Sequence, residues 1–193
     1  MSKSYVNRRD SIVLTAIEII HELGVQGLST REIAKRQGVS EPALYRQFDS
    51  KSDILLAVLD HYTHYDHLVF ETIKNQQQTS KQGVLFYIQK FTEYFENYPA
   101  ITAVTMSFDF LTYEPATVDR VKEIHQAHYD FIYALVEAGK KAGEIKEAIG
   151  SEDAADTVYG LLQLITLRWR LSNFSFSLKE RAVSAVSSYL NMC

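Results

Sequence analysis

Residues 29–48 read STREIAKRQGVSEPALYRQF. Ser29 and Glu32 have the form of a capping box, so a helix begins near Thr30, and its last turn meets Gly38. Ser40 can cap the next helix, with Pro42 in the first turn, where a missing amide hydrogen costs little. Two short helices joined by a tight turn cross steeply only if the side chain at closest approach is small and the turn residue tolerates positive φ. Ala34 supplies the small side chain and Gly38 the turn, while Leu44 anchors the second helix on the core with Phe48 one turn later. The spacing over residues 30–49 matches a helix-turn-helix whose second helix enters the major groove of DNA.

Alanine and glycine at this separation also occur in helical proteins that bind nothing, so the flanking residues carry the assignment. With Leu44 and Phe48 inward, Glu41, Pro42, Ala43, Tyr45, Arg46 and Gln47 lie on or beside the exposed face. An arginine there can make paired hydrogen bonds to guanine O6 and N7, which makes Arg46 the chief expected base reader. Pro42 and Ala43 offer small apolar surfaces suited to a thymine methyl, and Glu41 can accept from cytosine N4 or exclude wrong bases. Thr30, Arg31 and Lys51 open helices and are expected to grip phosphates, setting register. The bland alternative makes Arg31, Arg46 and Lys51 solubilising charges and Tyr45 a half-buried ring.

The stretch from Arg9 to about Leu59, and above all residues 28–34, 38–48 and 50–52, closely resembles the DNA-binding domain of the tetracycline-repressor (TetR) family. The resemblance implies an all-α homodimer with an amino-terminal DNA-binding domain at 8–55 and an effector-binding and dimerisation domain at 56–193. It further implies a repressor released from its operator by a small molecule. By position, Thr30, Ser40, Tyr45 and Lys51 correspond to phosphate-contacting residues and Glu41, Pro42, Ala43 and Arg46 to base-facing ones. Gln47 stands where the family often has histidine, and either side chain can donate to phosphate. Arg8 and Arg9 are candidates for an arm near the minor groove.

Charge agrees with a division of labour. Residues 1–52 carry 8 cationic and 6 anionic side chains and the remainder 12 and 18, within a net charge of −4 over 193 residues. A slightly basic end on an acidic body lets one end meet phosphates while the rest repels them. The single cysteine, Cys193, excludes a disulfide scaffold and points to a reducing, cytoplasmic setting. The longest uncharged stretches, 97–108 and 182–193, fall well short of the ~20 residues a membrane helix needs, and the polar residues 1–10 lack a signal peptide's apolar run. No phosphate-cradling glycine loop, nucleophile elbow or dinucleotide fingerprint appears, so no enzyme and no cofactor are expected.

With 3 prolines and 8 glycines the rest of the chain reads as long helices. Val13, Ala16, Ile17, Ile20 and Leu23 make an amphipathic stripe stopped by Gly24. Further helices are expected over 51–74, 81–97, from Pro99 to about 111, from 114 to 143, over 151–171 and from Ser177 onward, nine in all. The last two look like a dimer interface, with Val158, Leu161, Leu162, Ile165, Val183 and Val186 as its apolar residues, although an intrachain pair fits the same periodicity. Aromatic residues are many, and His64, Phe91, Tyr94, Phe108 and His128 are candidate effector-pocket residues. The histidine groups His61, His64, His67 and His125, His128 leave open a metal- or haem-responsive regulator. A DNA-bound nucleoid or structural protein without an effector shares every motif of the amino-terminal domain.

Overall fold

The computed structural model describes residues 7–76 and 78–193; the start of the polar amino end and the middle of the 76–78 glutamine run lie outside them. Among the described residues there is no strand, and the fold is all-α. Side-chain caps set most helix boundaries. Asn7 accepts the Asp10 amide and starts α1 (Arg8–Gly27), in which Gly24 leaves helical geometry at φ 71°, ψ 173°. Ser29 accepts the Glu32 amide to start α2 (Thr30–Gln37), and Gly38 ends it in the left-handed region at φ 63°, a conformation that costs a side chain-bearing residue strain. Ser40 stands at the cap position of α3 (Glu41–Tyr45) but makes no side-chain capping bond. Ser50 accepts the Asp53 amide at 3.1 Å, and α4 (Lys51–Asn75) follows.

A reciprocal capping box of Thr79 and Gln82 opens α5 (Ser80–Asn97), where the sequence reads as a polar break. The single helix expected from Pro99 to about 111 is instead a 3-10 turn (Pro99–Ile101), α6 (Thr102–Thr105) and α7 (Phe108–Leu111). Side-chain hydroxyls bond back to the main chain along this stretch. Thr102 donates to the Pro99 carbonyl at 2.6 Å, Thr105 to that of Thr102 at 3.0 Å and Ser107 to that of Ala103 at 2.7 Å. Such back-bonding competes with the helical ladder. Then come α8 (Val118–Lys141), α9 (Ser151–Leu171) and α10 (Leu178–Met192), the last capped by Ser177 on the Glu180 amide. The described residues thus hold ten α-helices rather than nine.

The chain forms two compact units, one of residues up to Tyr65 with Pro99–Glu123, the other of Asp66–Tyr98 with Ile124–Cys193. This division by contact falls within α4 at Tyr65, ten residues beyond the expected functional boundary at residue 55, and assigns Pro99–Glu123 to the first unit. In the first unit Val13, Ala16, Ile17 and Ile20 of α1 are buried with Leu28, Ile33, Leu44, Phe48, Ile54 and Leu59. Leu23, expected to extend the α1 stripe, is 54% exposed; Ile12 and Ile19 widen the buried face instead. In the second unit Val84, Ile88 and Phe91 of α5, Ile132 and Val136 of α8, Val158 and Leu162 of α9 and Ala182 and Val186 of α10 form the core.

Candidate nucleic-acid interface

Leu44 and Phe48 are buried as anchors, and between them Tyr45 and Arg46 are pushed outward. Two polar ties hold this short helix in place, and a third braces the helix before it. Gln37 donates to the Ser11 carbonyl at 3.1 Å and to the Thr15 hydroxyl at 2.5 Å, bracing α2 against α1. The Thr30 hydroxyl donates to a Glu41 carboxylate oxygen at 2.8 Å, joining the first turns of α2 and α3. Arg9 donates to the Gln47 carbonyl at 2.6 Å and lays its guanidinium 4.0 Å over the Phe48 ring. A helix of five residues has little stability of its own, so its orientation comes from these tertiary contacts.

The exposed face carries Pro42, Tyr45 and Arg46, with Glu41 and Gln47 half-buried at its sides. Arg31, Ser40 and Lys51 are exposed around it. Three expected roles change in detail. Ala43 is only 8% exposed, because it follows the buried side of α3 beside Leu44, and offers little surface to a thymine methyl. The hydroxyl hydrogen of Thr30 is committed to Glu41, so a phosphate contact at position 30 requires that bond to open or the first-turn backbone amide to serve. Arg9 is bound into the fold rather than extended as an arm. Ala34 and Gly38 stand where the tight turn needs them, Ala34 buried and Gly38 with open space around its Cα.

Of the candidate pocket residues, Phe91 and His128 come together in the second unit with ring centroids 5.0 Å apart, and Tyr94 is half-buried on the same helix as Phe91. His64 and Phe108 belong to the first unit; His64 is exposed, and Phe108 meets Tyr62 edge-on at 5.8 Å. Around His128 the sequence missed two partners. Tyr87 approaches Nδ1 at 2.7 Å and Asp66 approaches Nε2 at 3.1 Å, joining α5, α8 and α4 through buried polar atoms. The only local signal was an acidic residue within the His64–His67 stretch.

Among the described residues no group of three or more histidine, cysteine, aspartate or glutamate side chains is arranged to hold a metal ion. His61 and His64 line an open groove with Asp10 and Asp60, His67 is exposed, and His125 lies against Tyr159 at 5.2 Å. Burial, and then the neighbouring His64, lower the His61 pKa.

The expected dimer stripe faces inward. Val158, Leu162, Ile165 and Val186 are at most 4% exposed, and Leu161 and Val183 are half-buried. These residues pack α9 and α10 within the chain, as the intrachain alternative allowed. Leu164, Leu167 and Leu171 instead present an apolar stripe 55, 40 and 76% exposed, and Gly160 lies open on the same helix. Beside it an open groove of about 520 Å³ is lined by Arg168, Phe176, Ser177, Glu180, Arg181 and Ser184. No helix is long and apolar enough to cross a membrane among the described residues.

Residues 12–58 match the family of bacterial regulatory proteins known as the tetR family. The HTH-type transcriptional activator FasR of Mycolicibacterium smegmatis is 30% identical over 131 residues, 67% of this chain and 58% of that protein. The class C tetracycline repressor protein of Escherichia coli is 40% identical over 53 residues, 28% of this chain and 24% of its own length. The chain therefore spans from about a quarter to somewhat over half of these relatives. The fold resembles the crystal structure of the transcriptional regulator FadR from Bacillus subtilis in complex with stearoyl-CoA, with TM-score 0.77 at 22% identity, covering 94% of this chain and 95% of that one. With the helix-turn-helix matched in sequence and the whole helical chain matched in fold, the protein belongs to the TetR family of transcriptional regulators.

Proposed function

We propose that this chain is a sequence-specific DNA-binding regulator, a homodimeric repressor released from a pseudo-palindromic operator by a small, largely apolar effector, and that it is not an enzyme. The observation that carries the reading is the presentation of α3: Tyr45 at its end and Arg46 at its carboxyl cap are exposed, on an element pinned by Leu44, Phe48, Arg9 and Thr30. A rigid probe with an arginine at its tip suits recognition of guanine in the major groove, and Arg31, Ser40, Tyr45, Gln47 and Lys51 flank it as phosphate contacts.

One such head gives little affinity; two heads related by a twofold axis and spaced ~34–36 Å apart would engage successive major grooves. The exposed stripe Leu164, Leu167 and Leu171 supports pairing through α9, since apolar patches of this kind mark association surfaces. The stearoyl-CoA held by the structural relative supports an effector with a large apolar part, which the rings about Phe91 and His128 would suit. The protein would act in the cytoplasm, where the chromosome lies.

The test is recovery and footprinting of genomic fragments retained by the purified protein at moderate ionic strength. A protected pseudo-palindrome is expected, with Arg46→Ala losing about 1–3 kcal/mol of affinity and relaxing its preference at one base pair per half-site. Protection without sequence preference, or affinity unchanged in Arg46→Ala, overturns the reading. A sequence-specific complex that no metabolite extract dissociates removes the effector and leaves a DNA-bound structural protein.

A further inference from the structure

The buried polar chain of the second unit ends on an unpaired carboxylate oxygen. Tyr87 is 1% and His128 1% exposed, and Asp66 is 7% exposed. Burial, together with the nearby Tyr159 and Asp66, holds the Tyr87 pKa well above the ordinary phenol value, so its hydroxyl keeps its proton, 2.7 Å from His128 Nδ1. On the other side of the ring, the His128 Nε2–H, 3.1 Å from Asp66 Oδ2, donates to that oxygen. One carboxylate oxygen is thus supplied with a donor. The other, Asp66 Oδ1, is buried and has no hydrogen-bond partner.

Buried carboxylate oxygens without a donor are costly, and most native ones are filled. The surroundings are aromatic. Phe70, one helical turn after Asp66, meets the His128 ring edge-on at 5.4 Å; Phe91 does so at 5.0 Å, and Tyr159 stacks on it at 6.2 Å. A polar acceptor set among rings is the usual composition of a small-molecule site, in which the apolar walls bind and the few polar groups orient.

We infer that Asp66 Oδ1 is the polar anchor of the effector, and that the effector is an apolar, ring-compatible molecule whose buried end is a hydrogen-bond donor, a hydroxyl or a protonated amine, and not a carboxylate. The inference rests on the effector-responsive reading above and narrows its ligand. Tyr87 and His128 act as positioning residues, fixing the carboxylate so that one oxygen is spoken for and the other faces the ligand. A donor head completes the pair at this oxygen, whereas a carboxylate head would set oxygen acceptor against oxygen acceptor.

The test uses the full chain without DNA, so that it stands apart from any failure of operator binding. Calorimetric titration compares 2-naphthylmethanol, 2-naphthylmethylamine and 2-naphthoate, three probes of similar ring area and different heads. The expected result is one site per chain for the alcohol and the amine, with naphthoate at least tenfold weaker, and a loss of at least tenfold for the amine in Asp66→Asn. Because a variant in a buried network can misfold, nitrogen-15 imidazole spectra of the wild-type protein supply a second readout: His128 protonated on Nε2 when free, with its resonances shifted by the alcohol and the amine but not by naphthoate. Failure of both donor probes to bind, equal binding of naphthoate, or undiminished amine binding by a folded Asp66→Asn protein overturns the inference. Probe binding with no footprint on DNA instead sinks the regulatory reading and leaves this site standing.

Discussion

The Thr30 hydroxyl donates to the Glu41 carboxylate at 2.8 Å, so the first residue of α2 holds the first residue of α3. Removing the hydroxyl leaves a half-buried carboxylate with one donor fewer. Thr30→Val is expected to cost about 1 kcal/mol of unfolding free energy and to weaken operator binding, with Glu41→Gln partly restoring both in the double variant, since an amide tolerates a missing donor better. Denaturant titration and gel-shift affinities over the four-protein cycle check this; additive effects would mean the two side chains act independently.

Gly38 has open space where a Cβ would stand, and its cost on substitution is therefore conformational alone. At φ 63° Gly38→Ala should lose about 1 kcal/mol of stability with no steric repacking, and Gly38→Asn should lose less. Unfolding midpoints in urea with unchanged slope are the measurement.

Lys51 is exposed at the start of α4. As a phosphate contact its replacement should weaken all sequences alike and reduce the salt dependence of binding by about one ion per subunit, whereas Arg46→Ala should change sequence preference with the salt slope less affected. Affinities at several salt concentrations on specific and unrelated duplexes separate the two roles.

Leu164 and Leu171 are 55 and 76% exposed, so charged replacements there need not disturb the chain's own core. The pair Leu164→Glu and Leu171→Glu is expected to turn a dimer into a folded monomer that retains its helical circular dichroism and loses most of its operator affinity. Light scattering coupled to size exclusion reports the mass. A variant that stays dimeric places the twofold contact elsewhere.

Glu93 receives hydrogen bonds from Lys179, Lys90 and Gln89, in that order of effect, which lower its pKa from 4.5 to about 2. A carboxylate with a depressed folded-state pKa adds stability above its unfolded value and loses it as pH falls through the folded one. Between pH 4.5 and about 2 the wild-type protein should therefore lose stability more steeply than Glu93→Gln, and the two curves should run parallel near neutrality. Urea unfolding across this range tests the difference.

The capped boundaries were legible because they are local: Ser29, Gly38, Ser50 and Ser177 each act within four residues of themselves. The break-up of the helix after Pro99 was not, since the apolar periodicity of residues 99–111 is the same for one helix as for three short turns in sequence. On α9 the apolar residues form two adjoining stripes, and periodicity cannot tell which one the chain keeps for itself. Tyr87, His128 and Asp66 are brought together over separations of 41 and 62 residues, beyond the reach of any spacing rule.

Arg9 grips position 47 by its main-chain oxygen and position 48 by the face of its ring. The side chain of Gln47 is not what the clamp holds, and neither are those of Tyr45 and Arg46. Descendants of this sequence can therefore exchange these three side chains, the proposed base reader Arg46 among them, while inheriting the mounting intact.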